Sequence, residues 1–307
     1  MTQERSVPLT QRRRQRVPAD EIRELMFNAA HTKVTELGVT ASLEDLSMED
    51  LIRDAGVPRG SVYRIWPYRG DFIGDLLEKM AGPEWFGTGS YDSETLRLAV
   101  ETLFKDKTLF STAEGRRKAL LETIRVAADR NYRYTSESAE WKIYMALIAT
   151  SGGAREPETR ARVAAALARS DGQFTSTMAK FYQAMASLIG FRLRDSSYSF
   201  EHLAVAGAAV VEGLAMRRVL VATAKEVPAE DFRAQLEVLV SGFVAGPDQT
   251  GEPNWSLAAL GFLGVFDALV ESVPDDEYDH AVVDSLEAPM ILAMLEADGL
   301  LDSEEEE

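Results

Sequence analysis

Apolar residues recur at spacings of three and four over residues 20–37, a pattern typical of an amphipathic helix. Asp20 can cap the start of this helix, and Gly38 can end it. The apolar positions are Ile22, Leu25, Met26, Ala29 and Ala30. A second stripe, over residues 72–81, consists of Phe72, Ile73, Leu76, Leu77 and Met80. The pattern therefore predicts one helix at each of these places.

A shorter helical segment lies between them and is followed directly by another. Ser47 precedes it and Asp50 stands three residues later, close to a capping pattern. Its apolar residues are Met48, Leu51, Ile52 and Ala55. Gly56 can adopt the left-handed conformation that ends a helix, and Pro58 is tolerated at the first position of the next. Residues 47–66 are thus predicted to form a helix-turn-helix.

The helix beginning at Pro58 has two unlike faces. At about 100° per residue, one arc holds four apolar residues and is predicted to face the core: Pro58, Val62, Ile65 and Trp66. The remaining positions are Arg59, Gly60, Ser61, Tyr63 and Arg64. Two guanidiniums, a phenol, a hydroxyl and a glycine that allows close approach suit contacts with phosphates and base edges in a DNA major groove.

The rest of the chain repeats the helical pattern, and no alternating strand pattern competes with it. Helices are predicted over residues 93–105, 113–130, 138–149, 157–192, 199–225 and 229–244. Residues 246–254 have the composition of a linker, and residues 255–271 and 280–297 form two further helical segments, the second interrupted by Pro289. An all-α fold is expected.

The composition and motifs of the chain bear on which kinds of metal and catalytic site it can hold. The chain has no cysteine, which excludes disulfides, thiolate metal sites and a cysteine nucleophile. His31, His202 and His280 lack the close spacing of a zinc site, and no Ser-His-Asp signature or phosphate-binding glycine loop is present. We therefore expect no cofactor or metal and no enzymatic activity. The chain has no secretory signal and no apolar run of membrane-spanning length, so a cytoplasmic protein is expected.

Charge is distributed unevenly along the chain. The net charge is −17, with 33 basic and 50 acidic residues, yet residues 1–72 hold 11 of each. The whole acidic excess therefore lies downstream. Residues 1–16 contain five arginines against Glu4, and Arg12, Arg13 and Arg14 are consecutive. This basic arm is a candidate DNA contact; the alternative is a solubilising tail.

Residues 20–81 resemble the DNA-binding domain of the tetracycline-repressor (TetR) family of bacterial transcription regulators, through the segment SMEDLIRDAGVPRGSVYRIWPYRGDF at residues 47–72. The resemblance implies that Arg59, Gly60, Ser61, Tyr63 and Arg64 lie in the DNA groove, with Ser47 and Arg69 near phosphates. The chain departs from the family pattern in its long connection from Gly38 to Ser47, in Pro58, in Ile65 and in Gly70.

The resemblance also implies an organisation for the whole chain: a basic arm at 1–19, a DNA-binding domain at 20–81, a helical ligand-binding and dimerisation domain at 82–245, and a helical extension with an acidic tail at 246–307. Residues 199–225 are apolar nearly all round, through Leu203, Val210 and Leu214 among others. Such a helix is covered either by a partner subunit or by neighbours in a monomeric bundle. The family favours a homodimer on a palindromic operator.

Function follows as an expectation: a ligand-responsive regulator, most often a repressor in this family, that leaves double-stranded operator DNA when a small-molecule effector binds. Among the aromatic residues of the helical domain, Trp141 and Tyr144 are the candidate ligand contacts. Glu122 and Glu140 could meet a cationic ligand, although a solvated face is the simpler interpretation. The alternatives are a helical adaptor for a protein partner and an enzyme. The extension is expected to pack on the ligand domain or on a partner subunit.

Overall fold

The computed structural model of the protein describes residues 17–37, 46–83, 90–151, 157–223, 234, 242–247, 253–279, 287–297 and 299–300. Within these ranges the chain is largely helical, which confirms the predicted all-α class. It divides into two compact units, Met1–Leu77 and Glu78–Glu307. The predicted contacts of Arg12, Arg13 and Arg14 lie outside the described residues.

Four helices build the smaller unit and reach its boundary: α1 (Ala19–Leu37), α2 (Met48–Asp54), α3 (Arg59–Ile65) and α4 (Arg69–Ala81). The capping and turn residues that predicted these helices adopt the expected local structure. The backbone N–H of Asp50 donates to the Ser47 hydroxyl oxygen at 3.3 Å, which caps α2. Gly56 has a φ of 65°, so the turn between α2 and α3 uses the left-handed conformation that favours glycine.

Trp66 lies at the centre of the smaller unit and fixes the end of α3. Its ring is fully buried and packs edge-on against Phe27 and Phe72, with ring centroids 5.7 and 5.0 Å away. Its indole N–H donates to Asp75 Oδ2 at 2.8 Å, and Arg23 forms an ion pair with the same carboxylate. The buried indole therefore has its polar atom satisfied, and α3 is tied to both α1 and α4.

The larger unit contains seven further α-helices among its described residues. They are α5 (Ser93–Leu103), α6 (Ala113–Glu137), α7 (Ala139–Ser151), α8 (Pro157–Leu188), α9 (Phe200–Thr223), α10 (Leu257–Leu269) and α11 (Ala288–Ala297), with a 3₁₀ turn at Lys107–Ser111. Helices α6, α9 and α10 pack against one another, with α5 on α6 and α8 on α9. Helix α6 continues past its predicted end at Arg130.

Short antiparallel strands also occur among the described residues. The strand β1 (Phe191–Leu193) pairs antiparallel with β4 (Val270–Ser272), and β2 (Phe243–Ala245) pairs with β3 (Pro253–Ser256). The helix predicted over 157–192 therefore ends at Leu188, because Gly190 has a φ of 68° and turns the chain into β1. Strands this short carry too few residues for an alternating pattern to be recognised.

Residues 255–270, predicted as the start of a C-terminal extension, contribute to the core of the larger unit. A Cβ at Gly246 would overlap the Trp255 ring, which is itself fully buried. Helix α10 packs on α6 and α9, with Leu263 and Phe266 in the main core. Pro289 stands in the first turn of α11 rather than interrupting a helix, since a proline there loses no hydrogen bond. The predicted helix over 229–244 lies mostly outside the described residues, and β2 occupies its end.

Arg116 on α6 is a fully buried cation that anchors the chain after β4. Its guanidinium donates to Asp275 Oδ1 at 2.9 Å and to the Val273 carbonyl at 2.6 Å, and it lies 4.1 Å from the ring centroid of Tyr278. The Phe110 carbonyl accepts a longer bond at 3.4 Å. These contacts join α6 to the chain more than 150 residues later.

Candidate DNA-reading surface and a buried cavity

Helix α3 presents the polar residues that the sequence singled out on the side opposite its buried face. Val62 and Trp66 are fully buried, whereas Arg59, Gly60 and Arg64 are exposed. Ser61 and Tyr63 are half-buried. Together with Glu49 of α2, which contacts two of these residues, this set is called the reading surface below.

The predicted core face of α3 is partly wrong. Pro58 is exposed, and Ile65 is only half-buried. Pro58 is the N-cap residue, with an extended backbone at φ −68° and ψ 121°, so its side chain does not follow the angular spacing of the helix. It makes no side-chain cap hydrogen bond, as expected for a proline.

Glu49 holds two of the predicted DNA contacts. The Tyr63 hydroxyl donates to Glu49 Oε1 at 2.9 Å, and Arg59 Nη2 lies 2.9 Å from the same oxygen. The Arg59 guanidinium also lies over the Tyr63 ring, 5.4 Å from its centroid. The hydrogen bond to the carboxylate raises the pKa of Tyr63 above its ordinary value of 10, so the phenol remains a proton donor at neutral pH.

Gly60 and Arg64 make no such contacts. Among the described residues, Arg64 forms no hydrogen bond or ion pair, and a Cβ placed on Gly60 would meet no atom within 4 Å. The space beside Gly60 is therefore open, and nothing in the smaller unit requires glycine there. A glycine in an exposed helix interior costs about 1 kcal/mol relative to alanine. The open space is available to an approaching macromolecule.

The two predicted phosphate contacts meet at the N-terminus of α2. Arg69 Nε donates to the Leu46 carbonyl oxygen at 3.1 Å, one residue before Ser47. The Ser47 oxygen accepts from the backbone of α2, which leaves its hydroxyl proton as a donor. Tyr68, which the sequence reasoning did not consider, is 75% exposed between α3 and α4. A guanidinium and a hydroxyl therefore lie close together at the N-terminus of α2.

The larger unit contains a partly open cavity of about 110 Å³. Helices α5, α6, α8, α9 and α10 contribute its walls, which are mainly aliphatic, aromatic and thioether side chains such as Leu96, Ile124, Met178, Phe181 and Phe266. Phe262 of α10 also lines it and packs on Gly207 of α9. Residues from the segment after position 246 thus complete this cavity.

One acidic side chain lines the apolar cavity. Glu212 Oε1 accepts a hydrogen bond from the Ser90 hydroxyl at 2.6 Å. Burial raises the pKa of Glu212 and the nearby Asp171 adds to this, while the Ser90 hydrogen bond opposes it. Thr95 lines the cavity, and its buried hydroxyl oxygen has no hydrogen-bond partner in the described part of the chain. These polar groups, absent from the sequence-based candidates, can orient a bound molecule.

The two residues predicted to contact a ligand lie near Glu212, and their role in ligand binding stays a prediction. Trp141 and Tyr144 are both buried in the core and are not among the residues that line the cavity. Burial raises the pKa of Tyr144 to about 12. Glu122 is exposed and paired with Arg125, and Glu140 accepts a hydrogen bond from Ser138. A signal for Glu212 was present, since it is an acid in the middle of an otherwise apolar helix.

Helix α9 also carries an exposed apolar stripe. Val205, Met216 and Leu220 are each at least half exposed, and Ala209 and Gly213 lie between them at helical spacing. An added Cβ at Gly213 would meet no atom within 4 Å. This stripe, formed by these five residues, is called the α9 stripe below.

Comparisons with known proteins give little further help. No family model matches the chain, and no curated protein matches it. Among solved structures, the chain is similar to one described as "putative TetR-family transcriptional regulator from Rhodococcus sp.", with 20% identity over 71% of this chain and 95% of that chain and a TM-score of 0.33. A likeness at that TM-score does not establish a shared function.

Membrane-spanning helices and metal-binding clusters are both absent from the described part of the chain. No helix there is long and apolar enough to cross a membrane. No group of three or more histidine, aspartate and glutamate side chains there is arranged to hold a metal ion. His202 accepts a hydrogen bond from the Ser199 backbone N–H at the start of α9, His31 is half-buried in α1, and His280 lies outside the described residues.

Proposed function

We propose that this protein is a DNA-binding transcription regulator whose smaller unit reads duplex DNA through α3 and whose larger unit holds a small-molecule effector. One observation carries the proposal: α3 buries Val62 and Trp66 completely while it presents Arg59, Gly60 and Arg64 outward. A helix of this kind, preceded by a short helix and a glycine turn, is suited to enter a major groove.

Phosphate contacts beside α3 support the same function. Ser47 and Arg69 offer donors at the N-terminus of α2, and the basic arm with Arg12, Arg13 and Arg14 can add charge contacts. Such contacts fix the position of a protein on the duplex, whereas Ser61, Tyr63 and Arg64 can reach base edges. The acidic excess of residues 73–307 would keep the remainder of the protein away from DNA.

We propose that the protein forms a homodimer in which the α9 stripes of two copies contact each other. A contiguous exposed apolar stripe with small residues at its centre allows two helices to approach closely. Two copies related by a twofold axis would present two α3 helices to a palindromic operator. We propose a repressor in which the effector changes the spacing of the two reading surfaces and so lowers the affinity for the operator.

Selection of bound sequences from random duplex DNA, performed with the full chain, tests this function. The expected result is a palindrome whose half-sites are about one helical turn apart. Binding that weakens as salt increases would accompany it. Recovery of no enriched sequence, with no salt-dependent binding to duplex DNA, would instead favour a helical adaptor that uses the same surface for a protein partner.

Two alanine substitutions on the reading surface test the residues. Tyr63→Ala and Arg64→Ala are each expected to weaken binding to the selected operator by about 1–3 kcal/mol, because each removes a base-edge or phosphate donor. Arg64→Ala is also expected to relax sequence preference or to lower the slope of log K against log salt by about 1. Fluorescence anisotropy over a salt series measures both quantities.

Arg125→Ala is the matched control, because Arg125 is a surface arginine of the larger unit paired with Glu122. It is expected to leave DNA affinity unchanged. Equal affinities for the parent and for both α3 variants would contradict the proposed role of this helix.

Glu49→Gln is expected to raise DNA affinity several-fold. Its carboxylate binds Arg59 and Tyr63 and would repel a phosphate approaching them, so the neutral amide removes both effects. The same change is expected to lower the pKa of Tyr63 toward 10, since the carboxylate hydrogen bond is the main cause of the rise. Anisotropy measures the affinity, and ultraviolet titration of tyrosine ionisation measures the pKa.

Glu122→Gln, which neutralises an exposed carboxylate of the larger unit, is the control. Weaker binding by Glu49→Gln would mean that Glu49 chiefly holds Arg59 and Tyr63 in position for DNA.

A further inference from the structure

We propose that the cavity of the larger unit binds a small apolar molecule with one protonated amine, and that the Glu212 carboxylate is the counter-ion of that amine. The inference names the ligand class of the effector cavity, and it rests on the proposed function only for the link between this ligand and DNA.

The charge arrangement of the cavity carries the proposal. Glu212 is the only carboxylate among the described residues that line it, and no lysine, arginine or histidine of that part of the chain lines it. Glu212 also has no ion pair among the described residues; the neutral Ser90 hydroxyl donates a hydrogen bond to it, and the neutral Trp141 indole lies close enough to lower its pKa. A carboxylate in apolar surroundings is costly unless a cation compensates it, and a ligand ammonium would supply that charge.

Thr95 provides a second, independent observation. Thr95 lines the cavity and is 5% exposed, and its buried hydroxyl oxygen has no hydrogen-bond partner among the described residues. Buried hydroxyls in folded proteins nearly always have a partner, so this oxygen is a free position for a ligand donor. An ammonium group has three donors and no acceptor, which matches a wall that offers Glu212 and Thr95 as acceptors.

The size and lining of the cavity limit the ligand. A volume of about 110 Å³ is close to that of an engineered cavity of about 150 Å³ that holds benzene. Phe181 and Phe266 offer aromatic faces, which attract cations as well as apolar groups, and Met178 and Met185 can adjust to a ring. A single-ring amine therefore fits, and an anionic molecule of the same shape does not.

Binding of three isosteric probes to the full chain, measured by isothermal calorimetry at neutral pH, tests the proposal. Phenethylamine is expected to bind at least about tenfold more tightly than phenethyl alcohol, and phenylacetate is expected not to bind, because only the amine compensates a buried carboxylate. Glu212→Gln is expected to abolish the preference for the amine. Glu201→Gln, an exposed carboxylate on the same helix, is expected to preserve it.

Equal affinity for the amine and the alcohol overturns the proposal, as does an amine preference that survives Glu212→Gln or a failure of phenethylamine to bind. Should Glu212→Gln not fold, Thr95→Val replaces it, since loss of that acceptor is expected to weaken amine binding several-fold and an unchanged affinity counts against the site. These assays contain no DNA. Amine binding without a selected operator would refute the proposed function alone, and an operator without amine binding would refute this inference alone.

Thermal stability gives a second readout of the same carboxylate. Burial and Asp171 raise the pKa of Glu212 in the folded chain, so its ionisation destabilises the fold as the pH rises through that pKa. Glu212→Gln removes the ionisation and is expected to melt at a higher temperature than the parent at neutral pH. Because the parent is protonated at low pH, the difference should shrink as the pH falls toward 4.5, the ordinary pKa of glutamate. A difference in Tm that is independent of pH would show that burial does not raise the pKa of Glu212.

Discussion

Replacing Gly60 with glutamate is expected to lower DNA affinity by about 1000-fold, since a like charge placed against phosphate costs several kcal/mol. Gly60 is exposed at the start of α3, in the middle of the reading surface, and the space beside it is open. The new side chain would occupy the space that the duplex needs and would add a negative charge at the same point. Gly60→Ala, which adds a methyl group alone, should lie between the parent and Gly60→Glu.

The fold should not suffer from this change. No atom of the described residues lies within 4 Å of a Cβ at position 60, and a glutamate in the first helical turn is favourable. We therefore expect the smaller unit to be as stable as the parent or more stable by about 1 kcal/mol. Gly172→Glu is the matched control, because Gly172 is also an exposed helical glycine with open space around it, in α8. Anisotropy with operator DNA and chemical denaturation measure the two effects, and operator binding retained by Gly60→Glu would place the duplex elsewhere.

Arg116→Met is expected to destabilise the larger unit by about 3 kcal/mol, because it removes a buried cation and leaves two carbonyl oxygens without their donor. The affected partners are Val273, Phe110 and Asp275. Methionine fills most of the space of the arginine stem, so the loss measures mainly the polar contacts. For a unit of this size the loss corresponds to a fall of about 10 °C in Tm.

Arg117→Met is the control on the adjacent position of α6. Arg117 pairs with Asp267 at 2.6 Å, but both side chains are about a third exposed or more, so the expected loss is at most about 1 kcal/mol. Calorimetry of the full chain should resolve the larger unit as one transition. Equal losses for the two variants would show that the anchor at Arg116 contributes no more than a surface ion pair.

The sequence was most informative where structure depends on neighbouring residues. The Ser47 cap, the left-handed turn at Gly56 and the start of α3 after Pro58 all follow from interactions within four residues, and all three are present. Periodicity also located Val62 and Trp66 in the core. It failed at Pro58, because the angular spacing of a helix does not apply before its first turn.

Contacts between distant residues could not be predicted in the same way. Glu49 meets Tyr63 across a turn, and Glu212 meets Ser90 across 122 residues, so no local pattern reports either pair. The ligand candidates Trp141 and Tyr144 were chosen for their residue types alone. Both are buried near Glu212 and are absent from the cavity wall, so their role in ligand binding stays a prediction.

The contribution of α10 to the cavity has a consequence for the order of folding. Phe262 and Phe266 line a cavity whose other walls come from residues 90–212, so the enclosure requires loops of 50 residues or more to close. Contacts of long sequence separation form slowly, because the entropy of loop closure is lost before the contacts form. During synthesis, helices α5 to α9 leave the ribosome before α10. Until α10 docks, the apolar wall around Glu212 faces water, and chaperones or proteases would meet that surface first.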